Sequence, residues 1–175
     1  MPRLFDIEPT SGLPMEYGLL AAALQDGTRE WREELDEVPD EAVWWQPFEN
    51  GHSIGALILH MVDVEAFWIE QVALDRERST EELKELLSNE VDQYAFNWIV
   101  PPKKPISYYF EIQDRIRART LESLKHLPDP ATVIAREGWS YSTTIRWILN
   151  HVVAHESYHG GQAVLLKALW ERRGT

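Results

Sequence analysis

Residues 148–162 read ILNHVVAHESYHGGQ and place His155 and His159 four residues apart in a long apolar helical pattern. Side chains at positions i and i+4 lie on one face of an α-helix, with Cβ atoms about 6 Å apart. Two imidazoles in this arrangement can both bind one divalent metal ion at about 2.1 Å. Because they stand where the pattern requires buried residues, we interpret both histidines as candidate metal ligands.

A second stretch, residues 51–68, reads GHSIGALILHMVDVEAFW and predicts a helix that begins after an N-cap at Ser53. His60 lies on the inward stripe of this helix, and facing helices of a bundle can supply ligands to one metal. Three imidazoles with one open coordination position are typical of a catalytic site. Nitrogen ligands suit Zn, Ni, Fe or Cu equally. The alternative, a hydrogen-bonded core histidine, stays open for each residue.

The rest of the chain shows the same helical periodicity, and no segment has a convincing strand pattern. The predicted buried stripe of the first helix includes Leu19, Leu20 and Trp31. These patterns predict an all-α four-helix bundle with a long crossover connection between helices two and three. The helices are predicted over residues 15–38, 53–76, 107–126 and 143–171, with a short capped segment from residue 79 and an extended piece near 132–134.

Length and composition limit the classes of function. At 175 residues the chain fits a single domain, which we assign to residues 1–175 with a core over 15–171. Its 17 basic and 29 acidic residues give a net charge of -12, which disfavours nucleic acid and anionic membranes as partners. The absence of cysteine excludes disulfides and thiolate ligands and fits a reducing compartment.

No targeting or spanning segment is evident. Residues 1–14 lack the basic start and apolar run of a signal peptide. No stretch approaches 18 uninterrupted apolar residues. We therefore expect a cytoplasmic protein that acts on a small molecule.

Glu156 completes a literal HExxH motif, in which the glutamate of zinc proteases is the general base. No later histidine follows at metzincin spacing, and only sixteen residues follow His159. A surface carboxylate, or one that orients a ligand imidazole, is the alternative for Glu156 and equally for Asp63. Tyr158 is a further candidate for proton transfer. His151, one turn before His155, is a candidate hydrogen-bond partner of the ligands or an interface residue.

The two quoted stretches together resemble the DinB/YfiT-like superfamily of metalloenzymes over residues 15–170. The matching elements are S-I-G-x-L-x-x-H and H-x-x-x-H-x-G-Q. The resemblance implies a metal held by His60, His155 and His159, thiol-dependent transferase or isomerase chemistry with bacillithiol, mycothiol or glutathione, and a homodimer. The chain departs from the pattern at Gly160, where the family often has arginine, and at His52, where it often has tryptophan.

The leading hypothesis is a metal-dependent transferase that uses Zn, Ni or Fe to activate the thiol of a small cosubstrate. Glu156 and Tyr158 are its candidate catalytic residues, and Tyr94, Phe96 and Trp98 are either pocket wall or core. Two alternatives stay open: a hydrolase with Glu156 as base, and a non-enzymatic dimerising bundle that its metal stabilises. Because ligands must be unprotonated, we expect metal affinity to fall below a pH of about 6.5.

Overall fold

The computed structural model describes residues 6–173; residues 1–5 and 174–175 of the predicted domain lie outside the described part. Four long helices form a bundle in which α1 packs against α6, and α3 packs against both α5 and α6. The predicted all-α four-helix architecture is confirmed. The helices are α1 (Met15–Glu34), α2 (Asp40–Trp44), α3 (Ile54–Ala66), α4 (Thr80–Glu85), α5 (Ile106–Leu124) and α6 (Ile145–Arg172).

The starts of α3 and α4 follow the capping signals in the sequence. The Ser53 side chain accepts a hydrogen bond from the backbone N–H of Ala56 at 3.4 Å, and Ser79 accepts one from Glu82 at 3.1 Å. Each cap satisfies a backbone donor that has no partner within its own helix. The long crossover between α3 and α5 carries α4 within it and ends at Ile106, one residue before the predicted start of the third long helix.

The chain beyond α3 departs from a regular helix. Residues Phe67–Ala73 continue α3 as a π-helix, where the prediction had an ordinary helix to residue 76. A π-turn holds more residues than an α-turn and therefore changes the direction of the side chains that follow it. Apolar periodicity does not distinguish the two, because both expose similar residues to the core.

A short hairpin precedes the last helix. β1 (Val133–Ala135) pairs antiparallel with β2 (Ser142–Thr144), with Val133 opposite Thr144. The sequence predicted only an extended piece near residues 132–134, because three-residue strands are too short to show alternation. Thr144 then caps α6 by accepting a hydrogen bond from the backbone N–H of Trp147 at 3.2 Å.

The buried face of α1 differs from the predicted stripe at its start. Leu19 is 41% exposed and Leu20 is half-buried, whereas Tyr17 and Ala21 are buried. Positions two residues apart lie about 200° apart around a helix, so the stripe that contains Tyr17 and Ala21 leaves Leu19 outside. The predicted stripe is correct further along, where Trp31 is buried.

Two apolar clusters form the core, and a polar layer lies between them. One cluster contains Leu24 and Ile148, and the other contains Trp31 and Leu57. The polar layer consists of buried side chains near the middle of the long helices: Thr28, Glu65, Gln113, Arg117 and Glu156.

Candidate metal centre

Three histidine side chains converge between α3 and α6. The ring centroid of His60 lies 4.9 Å from that of His155 and 5.0 Å from that of His159, and the two α6 rings lie 4.4 Å apart. One ring nitrogen from each histidine lies within 4.8 Å of the others. The structure thus brings together all three residues that the sequence predicted as metal ligands.

The donor set fits a divalent metal. His60 and His159 are buried and His155 is partly buried. Among the described residues, the buried Nε2 atoms of His60 and His155 have no hydrogen-bond partner. A buried polar atom without a partner is costly, and imidazole nitrogens that face one another are satisfied when they share a cation.

The imidazoles are neutral, which is the form that binds a metal. Burial, together with the neighbouring His159, lowers the pKa of His60 to about 4, against a hydrogen bond with Gln93 that raises it. Burial and the surrounding histidines lower the pKa of His155 to about 2. Desolvation disfavours the charged imidazolium. We therefore expect protons to compete with a metal for these nitrogens only at a pH below about 6.5, the pKa of an unperturbed histidine.

Gln162 orients His159. Its Oε1 lies 2.6 Å from Nδ1 of His159; when Nδ1–H donates to this amide oxygen, Nε2 is left unprotonated for a metal. Gln162 is three residues after His159 and therefore shares its helix face. The motif H-x-x-x-H-x-G-Q contained this residue, but the sequence assigned it no role.

A cavity of about 660 Å³ borders His155 and His159. Tyr94, Phe96 and Trp98 of the crossover line it, as the pocket-wall interpretation requires. Among the described lining residues none is Asp, Glu, Lys or Arg. His155 and His159 therefore lie at the wall of an uncharged, aromatic-rich chamber, whereas His60 lines an adjoining pocket with Asp63 and Asp92.

Glu156 lies in the polar layer and is not among the described residues that line the cavity. Its carboxylate accepts hydrogen bonds from Thr28, from Trp31 Nε1 at 3.2 Å and from Gln113 Nε2 at 3.0 Å, and it pairs with Arg117 at 2.5 Å. Burial raises the pKa of Glu156 even though Arg117 opposes the shift. These contacts favour a structural role for Glu156 over that of a general base.

The other candidates divide between the cavity and the crossover. Tyr158 lines the cavity edge-on to His159, at 4.9 Å between centroids, and is 65% exposed. His151 also lines it but is not among the three convergent ligands. His52 lines it and packs against Trp98 at 4.3 Å. Asp63 pairs with Arg78 at 2.6 Å, so it anchors the crossover.

Close packing against Trp31 explains the glycine at position 160. A Cβ atom on this residue would lie 2.6 Å from the ring of Trp31. Trp31 occupies the space beside α6 and donates its indole N–H to Glu156. The arginine that the family often has here would therefore displace the aromatic ring that helps to hold Glu156.

A solved structure shares the fold. The fold is similar to the crystal structure of a conserved protein from Enterococcus faecalis, with a TM-score of 0.65 and 16% identity over 86% of this chain and 94% of that one. No curated protein sequence matches. Within the described residues, every helix is too short or too polar to cross a membrane.

The sequence from residue 19 to residue 171 matches the family described as mycothiol S-transferase. That span contains all three convergent histidines, Gln162 and the whole crossover. The resemblance to DinB/YfiT-like proteins is confirmed, and the chain belongs to the mycothiol S-transferase family.

Proposed function

We propose that the protein is a metal-dependent S-transferase that joins an uncharged, hydroxyl-rich thiol of the mycothiol kind to a small electrophile. The observation that carries this proposal is the convergence of His60, His155 and His159, of which His155 and His159 line an uncharged cavity. A divalent cation held by these residues supplies Lewis acidity that lowers the pKa of a bound thiol. Zn, Ni and Fe all suit the three nitrogen donors.

The character of the cavity wall supports mycothiol over the other thiols. Glutathione and bacillithiol carry carboxylates, whose burial without a cationic partner is costly. The described lining residues include no lysine or arginine, and burial lowers the pKa values of His52 and His151. Mycothiol carries sugar and inositol hydroxyls and no carboxylate, and the amides of Gln93 and Gln162 offer it hydrogen-bonding groups.

The chain's own residues hold and shield the reacting groups. Gln162 holds His159 in one tautomer. Trp98, which is buried, packs edge-on against His60 at 5.2 Å and limits water at that side. Tyr158, at the exposed edge of the cavity, is the side chain best placed to exchange a proton with solvent or product.

Thiol consumption tests the proposal. Protein purified without a His tag is loaded with Zn, Ni or Fe in turn and incubated with 1-chloro-2,4-dinitrobenzene and each of the three thiols. We expect conjugate formation with mycothiol to exceed that with glutathione or bacillithiol by at least about tenfold, a difference of about 1.4 kcal/mol in transition-state binding. His159→Ala, checked for folding by circular dichroism, is expected to form none.

Two results would contradict the proposal. Conjugate formation with none of the thiols would reject the transferase. Equal or greater turnover with glutathione would reject the preference for an uncharged thiol.

The hydrolase alternative loses support because Glu156 is engaged in the polar layer. The homodimer, the cytoplasmic location and the single domain over residues 1–175 stay predictions.

A further inference from the structure

One face of α6 presents a ring at every fourth residue: Trp147, His151, His155 and His159. Trp147 stacks on His151 at 4.9 Å, and His151 lies 5.8 Å from His155. At 1.5 Å per residue, the eight residues from Trp147 to His155 span about 12 Å. All four rings line the same cavity, which therefore extends two helical turns beyond the histidine cluster.

Four aromatic side chains form this far part of the cavity, which we call the aromatic end: Trp68, Trp139, Tyr141 and Trp147. Trp68 is nearly perpendicular to Trp139 and Trp147, at 5.6 Å and 5.3 Å between centroids. Trp139 in turn lies 5.0 Å from Tyr141. Because the rings come from the π-helix, the hairpin loop and α6, their mutual contacts hold the aromatic end in place before any ligand arrives.

The aromatic end leaves ring surface uncovered. Tyr141 is 53% exposed and Trp147 is 43% exposed, whereas Trp68, beneath them, is 8% exposed. The π-helix carries Trp68 into this position, and π-turns inside helices are frequent at functional sites. Uncovered aromatic faces on a rigid base favour a flat apolar ligand that stacks on them.

Within the described chain, the aromatic end has no free charged side chain to pair with a charged ligand. The nearest cation on the hairpin loop, Arg136, is committed to the Gln71 carbonyl at 2.8 Å and to Asp75 at 3.1 Å. Among the described lining residues there is no carboxylate to balance a cationic ligand. The described residues of the aromatic end therefore offer no ionic partner to a charged ligand, and their ring faces favour a flat aromatic group.

The opposite end of the cavity, which we call the polar end, combines hydrogen-bonding side chains with two rings of the crossover, Phe96 and Trp98, that pack against His52. His52, Gln93 and Gln162 line it, and the buried Nε1 of the neighbouring Trp98 has no hydrogen-bond partner among the described residues. These groups offer donors and acceptors for hydroxyls. The imidazole cluster lies between these two ends, which therefore suit two chemically different substrates.

We propose that the aromatic end binds the flat, uncharged aromatic group of the electrophile, while the polar end receives the hydroxyl-rich thiol. The assignment of the second substrate rests on the proposed transferase function. With 1-chloro-2,4-dinitrobenzene, the thiol sulfur forms a bond to the ring carbon, the carbon–chlorine bond breaks and chloride leaves with its electron pair. The thiol proton passes to solvent.

Direct binding tests the aromatic end without any reaction. The non-reactive aromatic 2-naphthol is titrated calorimetrically into metal-free protein, together with Tyr141→Ala, Trp139→Ala and Phe48→Ala. Phe48 is the matched control, because it is 55% exposed and does not line the cavity. We expect Kd to rise about tenfold in the two hairpin variants, a loss of about 1.4 kcal/mol for one stacked ring, and to change less than about twofold in Phe48→Ala.

Kinetics test the same assignment in the loaded enzyme. The ratio of kcat/KM for 1-chloro-2,4-dinitrobenzene to that for aliphatic iodoacetamide is expected to fall about tenfold in Tyr141→Ala and Trp139→Ala, a specificity change of about 1.4 kcal/mol. Because Tyr141 is largely exposed, its variant tests the proposal even if Trp139→Ala folds poorly.

The outcomes separate the two proposals. If 2-naphthol does not bind, or binds Tyr141→Ala and wild type equally, the aromatic end is not a ligand site, whatever the thiol assays show. If it binds as expected but no thiol is consumed with any electrophile, the transferase assignment and the electrophile's role both fail. In that case an aromatic binding site remains.

Discussion

His155 and Glu156 are consecutive in the chain, yet they occupy opposite environments. His155 faces the histidine cluster with its Nε2 unpaired among the described residues. Glu156 is 3% exposed and accepts hydrogen bonds from three side chains of α1 and α5 besides its ion pair with Arg117. Neighbouring residues on a helix differ by about 100° in direction. One short motif therefore supplies a ligand on one face of α6 and an anchor on another.

The polar layer fixes the position of Glu156. Thr28, Gln113 and Arg117 hold Glu156 from two helices, and Arg117 also pairs with Glu65 of α3 at 2.9 Å. A helix held on one side by buried hydrogen bonds and an ion pair cannot rotate freely about its axis. We infer that the polar layer sets the rotation of α6 and so aims His155 and His159 at His60.

Breaking the anchor is expected to have the largest effect. Arg117→Met leaves two buried glutamates without their cation, which costs about 3–5 kcal/mol and lowers Tm by roughly 10 °C. Urea and thermal unfolding measure the loss. Arg115→Met is the control, since Arg115 is on the same helix, is 51% exposed and pairs only at the surface. Equal losses in both variants would show that the polar layer is not the anchor.

Breaking the ligand face is the next largest perturbation. His60→Ala removes one of the three nitrogen donors. Loss of a residue that merely orients a ligand lowers metal affinity about ten- to hundredfold, so loss of the ligand itself is expected to lower it more. Competition with a chromophoric chelator measures the affinity. His126→Ala, which removes an exposed histidine at the end of α5, provides the comparison. Retention of wild-type affinity in His60→Ala would exclude His60 as a ligand.

Gln162 is expected to affect metal binding indirectly, through its hydrogen bond with His159. Gln162→Leu is expected to lower metal affinity about ten- to hundredfold, and Gln162→Glu, which keeps the acceptor oxygen, is expected to restore most of it. Nitrogen chemical shifts of His159 report whether Nδ1 still carries the proton. An unaltered tautomer and affinity in Gln162→Leu would rule out the orienting role.

Lowering the pH is expected to have the smallest effect, a reduced free energy of unfolding of the metal-free protein. A lowered pKa in the folded state means that the unfolded chain binds more protons below pH 6.5, so stability is lost as pH falls from there toward the pKa of about 4 for His60. Between pH 7 and 5.5 this histidine contributes a loss of about 1 kcal/mol.

His60→Leu isolates that contribution. Its free energy of unfolding, measured in urea at both pH values, is expected to fall less than that of the wild type by about 1 kcal/mol. His126→Ala is expected to follow the wild type. A pH dependence that is the same in all three proteins would mean that His60 does not titrate differently in the folded state.

Much of the site was predictable because it depends on local geometry. The i, i+4 spacing puts His155 and His159 on one face whatever surrounds the helix. Ser53 places the start of α3 and hence the turn on which His60 lies. The role of Glu156 was not predictable, because its partners Thr28 and Arg117 are 128 and 39 residues away.

The sequence alone determined the four helices, their caps and the three imidazoles that can share a metal, since periodicity and capping act within a few residues. Only the tertiary structure decided which way Glu156 turns, why residue 160 must be glycine beside Trp31, and how the hairpin and the π-helix assemble the aromatic end. The reason is that burial and hydrogen bonding are settled by side chains from distant parts of the chain, which meet only when the helices pack.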